Sequence, residues 1–174
     1  MKDIIIKIII SIVTILVISA CSNEEESTTT DPFSCTGSSS GSGPTIGGVT
    51  LQEETYKLET DSFAFVNSSS AHIVLNGGTP LCYTIDVTST TASVLKTNSA
   101  NTGNATIAGG QAYPAYDNVT AYYTIMANSV LNTTYHMYIY ADNDSSFYLN
   151  AWGHSSKSSA DSDIYLTDSA YTKQ

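Results

Sequence analysis

At 174 residues the chain has room for one domain of ordinary size. Its 6 basic residues are all lysine, against 16 acids, giving a net charge of −10 and a pI near 4.3. Nucleic acid is held through Lys/Arg neutralisation of phosphates, so this composition excludes it as a partner, and it excludes a polybasic lipid-binding patch for the same reason.

Residues 1–20 read in three zones: a short charged start ending at Lys7, an apolar run over 8–18 broken only by Ser11 and Thr14, then the small Ser19 and Ala20. That is the anatomy of an export signal. The stretch 8–20 is 13 residues, about 20 Å as a helix against a hydrocarbon core of about 30 Å, too short to stay as a membrane span. At its end, Ile18-Ser19-Ala20-Cys21 resembles the lipobox of bacterial lipoproteins. The resemblance covers residues 1–21 only. It implies a diacylglyceryl group on the Cys21 sulfur, cleavage before Cys21 and acylation (palmitate or similar) of the new amino terminus. Removing Lys2, Lys7 and Asp3 with the signal leaves 4 lysines and 15 acids, a net charge of −11, so lipid, not charge, is expected to hold the mature chain on the membrane. Two or three acyl chains suffice for that.

By the same resemblance, Ser22 in place of the Asp that marks inner-membrane retention points to the outer membrane of the bacterial envelope. Glu24-Glu25-Glu26 resembles the acidic cluster of surface-exported lipoproteins of the Bacteroidota, and reads equally as a solvated tether.

Residues 21–44 carry this lipidated cysteine and a polar, Ser/Thr/Gly-rich run of flexible-linker composition. Within it, Gly37-Ser38-Ser39-Ser40-Gly41 matches a nucleophile-elbow pattern formally. It lacks the flanking strand and helix that such chemistry requires.

Residues 45–174 are expected to form the folded domain. Its 12 tyrosines and abundant Thr and Ser suit pleated surfaces. Candidate strands fall at 48–51, 56–59, 62–66, 71–76, 81–88, 92–96, 119–127, 134–141, 147–152 and 163–167; the clearest alternation is Leu81-Cys-Tyr83-Thr-Ile85-Asp-Val87. Many short strands with short connections predict an all-β, antiparallel β-sandwich, Ig-like or jelly-roll-like, with a small β-barrel as the alternative. Cys35 and Cys82 are left to form a disulfide in an oxidising compartment, which would stabilise by about 4 kcal/mol in the chain-entropy account, or to stay as free thiols.

Chemistry is thinly signalled. His72, His136 and His154 share no metal-ligand spacing. Asp142-Asn143-Asp144 opens like a calcium loop, making Asp142 and Asp144 candidate Ca2+ ligands, but lacks the later Gly and Glu and reads more simply as turn chemistry. No other cofactor is expected. Asp61, Asp86, Asp117 and Asp163 are available for glycoside hydrolysis, which needs two carboxyls across a cleft.

The C-terminal hairpin offers the sharpest expectation. A three-residue loop at 142–144 would pair Tyr138 with Tyr148 and His136 with Asn150, placing Tyr135, Met137, Ile139, Phe147, Leu149 and Ala151 on the core face. The opposite face would carry His136, Tyr138, Tyr140, Tyr148, Asn150 and Trp152, fit to stack on a sugar ring unless a second layer covers it. The expected function is a membrane-anchored, non-catalytic binding module for glycan or protein. Its rival is a lipid-tethered extracytoplasmic hydrolase.

Overall fold

A computed structural model of the chain describes residues 34–35, 39–98, 105–106, 112–113 and 115–174. The export signal, Cys21 and the tether through residue 33 lie outside the described residues, and Asp31–Gln174 forms one compact unit. Strands β1 (Ser42–Ile46) and β2 (Val49–Gln52) make a hairpin, followed by β3 (Thr55–Leu58), β4 (Asp61–Asn67), β5 (Ser70–Val74) and the long β6 (Leu81–Thr97). After the two-residue β7 (Ala105–Thr106) and β8 (Ala112–Tyr113) come β9 (Tyr116–Asn128), β10 (Thr133–Asn143), β11 (Ser146–Leu149), helix α1 (Lys157–Ser162) and β12 (Tyr171–Lys173).

The all-β expectation holds, but the sandwich does not. Eight antiparallel strands close into a barrel in the order β10-β11-β12-β3-β4-β5-β6-β9, with β9 pairing back onto β10. Closure depends on the three-residue β12, which pairs with β11 on one side and β3 on the other. A sandwich would leave those edges open; β12 is too short to stand out as a strand in the sequence.

Alternate residues of each strand point inward. Tyr56, Phe63, Phe65, Ala71, Ile73, Tyr83, Ile85, Met126, Met137, Ile139, Phe147, Leu149 and Tyr171 fill the interior. Rings dominate it: Phe63 meets Phe147 edge-on at 5.3 Å and Tyr171 at 4.9 Å, while Phe147 stacks on Tyr171 at 5.0 Å. The paired positions that face outward on β3 to β6 carry Lys57, Ser62, Ala64, Ser70, His72, Val74, Cys82 and Thr84. An interior packed with apolar side chains contrasts with the polar interior of a membrane-spanning barrel.

The register defines two rims. One carries the β3–β4, β5–β6 and β9–β10 turns and the long β11–β12 connection, with Trp152 packed inward against Phe63, Tyr83 and Tyr135 at 5.1–6.2 Å. Across the other rim lies the β1–β2 hairpin, whose Ile46 and Leu51 join the interior cluster. Its Gly47-Gly48 turn has φ of +59° and +88°, the left-handed pair that a two-residue hairpin turn demands. Thus β1 starts at Ser42, inside the stretch read as tether.

Past the hairpin rim, β6 and β9 continue as a ribbon. Their pairing shifts by two residues between Val87 and Thr91, a bulge that bends the pair. The ribbon then crosses the outside of β10 and β11, where Val94, Ala121, Tyr123 and Tyr138 bury one another together with Ala160 and Leu166. The segment predicted as a strand at 163–167 contributes only a single bridge, Leu95 to Tyr165.

Cys35 and Cys82 form the disulfide, with Cα atoms 5.1 Å apart. Cys82 is the second residue of β6, on the Trp152 rim. Among the described residues no helix is long and apolar enough to cross a membrane.

Candidate functional site

In the C-terminal hairpin, Tyr140 pairs with Tyr148 and Ile139 with Leu149, and a bulge lies between Ala141 and Asn143. This register is two residues away from the three-residue-loop expectation. Tyr135, Met137, Ile139, Phe147 and Leu149 therefore stay inward, because a shift of two keeps every side chain on its face, whereas Ala151 lies past the end of β11 and joins neither packed cluster. Trp152 is the exception and a correction: β11 ends at Leu149, the strand alternation stops there, and the indole turns into the barrel mouth, opposite to Tyr138.

The outward face is covered by a second layer. Tyr138 is buried beneath α1 and donates its hydroxyl to Asp161 at 2.8 Å. Lys157 Nζ lies 2.7 Å from the same carboxylate and 3.3 Å from the hydroxyl. Burial, then the Asp161 bond, raise the Tyr138 phenol above its ordinary value. Lys157 and next Tyr138 lower the Asp161 carboxyl, while Asp161 and next Tyr138 raise Lys157. Such shifts hold the phenol protonated as a donor, so the group serves to dock the helix. Asn150 is buried and gives its amide to Ala160 O at 3.0 Å and Asp163 O at 3.2 Å. His136 is half-buried, with Nδ1 sharing a 2.5 Å hydrogen bond with the Tyr123 hydroxyl.

Tyr140 and Tyr148 remain half-exposed, but Lys96 sits over both, 5.1 and 4.5 Å from the ring centres. Its Nζ bonds both oxygens of Asp142, at 2.7 and 2.5 Å. Burial pulls the Lys96 pKa down, yet Asp142 and the two tyrosines carry it above the ordinary lysine value. A face fit to stack on a sugar therefore does not form from these six residues together.

Asp142 and Asp144 also part company. Asp144 accepts from Ser145 Oγ and Gln52 Nε2, bonds that hold its carboxyl below the usual range. No group of three or more His, Cys, Asp or Glu is arranged to hold a metal among the described residues. The acids considered for hydrolysis are likewise taken up locally: Asp61 by the Asn76 amide at 2.6 Å, Asp117 by Asn98 Nδ2 at 2.6 Å, Asp163 by His154 Nε2 at 3.2 Å. Asp86 is exposed on β6.

A different site lies where the hairpin, the ribbon and β10 meet. Ile46, Gly47, Val119, Thr120, Tyr122, Tyr140 and Ala141 line a partly open cavity of about 270 Å³. Gly47 lets the Tyr122 ring lie against the turn, since a Cβ there would stand 2.5 Å from Cε2 of Tyr122. Its walls are apolar surface, one threonine and two phenols, with no carboxyl, imidazole or ammonium among the lining residues. Only Tyr140 was named from sequence. Gly47-Gly48 between apolar residues was a hairpin signal in plain view, but that the ribbon bends back onto it is a tertiary fact with no local signature. Comparisons with protein-family models, curated proteins and solved structures each find no match to the chain.

Proposed function

We propose that the chain is the precursor of a lipoprotein of the bacterial outer membrane, anchored by lipid on Cys21. Its barrel acts there as a non-catalytic binding module, displayed at the envelope or cell surface. One observation carries the binding reading: the cavity at the hairpin rim is lined by Tyr122, Tyr140, Thr120 and apolar surface, without an acid or base. Phenols give both a ring and a hydroxyl, the combination that meets a sugar's apolar face and its polar edge. A net charge of −11 on the mature chain repels anionic ligands, which favours a neutral glycan over an acidic protein segment.

The experiment is a screen of neutral glycans against the mature chain, repeated with Gly47→Ala and Tyr140→Ala. Binding that both substitutions weaken at least tenfold supports the reading. Release of shortened sugars would move it to the hydrolase, and no binding to any glycan would leave the cavity without this role. Anchoring is tested separately. Cys21→Ser is expected to abolish lipid labelling and membrane attachment while the barrel stays folded, and persistent membrane fractionation of that variant would refute the anchor.

A further inference from the structure

We propose that the β9–β10 turn rests its Val130–Leu131 tip on the lipid surface, beside the point where the tether leaves the barrel. The inference rests on the reading of Cys21 as the anchor. Val130 and Leu131 are 42% and 46% exposed, adjacent in sequence and at the apex of a tight turn. The turn holds them outward: the buried Asn128 accepts the Val130 and Leu131 amides on Oδ1 at 3.1 and 2.9 Å, and Asn132 closes the turn with φ of +51°.

The tether converges on the same place. Asn128 donates its side-chain amide to the carbonyl of Cys82 at 2.9 Å, and Cys82 is bonded to Cys35. The apolar tip is therefore one hydrogen bond and one disulfide from the end of the chain segment that leads to Cys21. From Cys21 to Cys35 is 14 residues, which reach about 50 Å at most. Without the disulfide the next fixed points among the described residues are the amides of Ser40 and Gly41, bonded to Glu53 beside the opposite rim. The bridge thus selects which rim faces the bilayer.

Charge permits the contact. The chain is strongly acidic, yet no Asp, Glu, Lys or Arg occurs from Asn118 to Ala141, which includes the whole turn. Tethering has already confined the domain, so two exposed apolar side chains need only bias its orientation. The tip at this rim also leaves the cavity at the hairpin rim facing away from the membrane.

The test uses the oxidised mature chain, in which Cys21 is the one free thiol, and joins it chemically to maleimide-headgroup lipid in phosphatidylcholine vesicles carrying a dansyl-headgroup lipid. Trp152 is the sole tryptophan and sits at the rim in question, so its energy transfer to dansyl reads which rim is close. Strong transfer is expected. It should fall at least twofold in Val130→Asp/Leu131→Asp, with unchanged melting, and also in Cys35→Ser/Cys82→Ser. Equal transfer in the wild type and the double Asp variant overturns the proposal. So does self-association of the untethered chain that the Asp pair abolishes, which would give the tip to a second copy. Because the coupling is chemical, a Cys21 left bare in cells would refute the anchor without altering this result.

Discussion

Asn150 and Tyr138 are joined by two hydrogen bonds, of which only one is backbone to backbone: Asn150 N donates to Tyr138 O at 3.0 Å, while Tyr138 N donates to the Asn150 side-chain Oδ1 at 2.8 Å. In a regular antiparallel pair the second acceptor would be the Asn150 carbonyl. Substituting the side chain satisfies β10 while freeing the chain to leave the sheet, which it does immediately. The same amide then ties down Ala160 and Asp163 of the covering layer. Asn150→Leu should cost about 2–4 kcal/mol, because it strands a buried N–H and two carbonyls in one step. Equilibrium denaturation measures it; a loss below about 1 kcal/mol would mean that water replaces the side chain.

The departure of β11 at Asn150 explains how far the hairpin was legible. Two-residue alternation is a local signal, so it puts Met137, Ile139, Phe147 and Leu149 inward and Tyr138, Tyr140 and Tyr148 outward, as the structure has them. It misplaces Trp152, since alternation carries no information beyond a strand's end. Barrel closure was equally hidden: it rests on Thr172 pairing with Lys57 and Ser146, and nothing in a three-residue strand announces its partners. The polar 155–163 region gave no helical stripe because α1 has six residues and buries only Ala160.

Trp152 now predicts the opposite of a ligand contact. Packed edge-on to Phe63 at 5.3 Å and against Tyr135 at 5.1 Å, it plugs one barrel mouth. Trp152→Ala should therefore destabilise by about 2–3 kcal/mol, somewhat below a fully buried aromatic, and leave glycan binding at the far rim unchanged. A variant with wild-type melting temperature but lost binding would restore the tryptophan to a ligand site.

The disulfide closes a loop with a sequence separation of 47 residues that contains β1 to β5. In the chain-entropy account its removal costs about 4 kcal/mol. Cys35→Ala/Cys82→Ala should thus unfold at markedly lower denaturant. Thiol titration of the denatured, unreduced mature chain should find only Cys21 free, and none once that sulfur is lipidated; two further thiols would contradict the bridge.

Alkaline pH should unfold the barrel cooperatively through its tyrosines. Burial is the largest cause raising the phenols of Tyr56, Tyr83, Tyr123, Tyr138, Tyr140 and Tyr171, so the folded state holds these protons more tightly than the unfolded chain. A group raised in this way stabilises fully below its unfolded value, about 10 for tyrosine, and loses that contribution as pH rises toward the folded value. Lys157, raised mainly by Asp161, acts in the same direction, and so does Lys96, where Asp142 outweighs burial. At the acid end Asp161, lowered mainly by Lys157, and Asp144, lowered mainly by Ser145, contribute above about pH 4 and lose their contribution as pH falls further. Phenolate absorbance followed beside circular dichroism measures the alkaline limb. The six raised phenols should ionise together with loss of the β signal. Those six phenols titrating smoothly near pH 10 in a barrel that stays folded would contradict the packed interior.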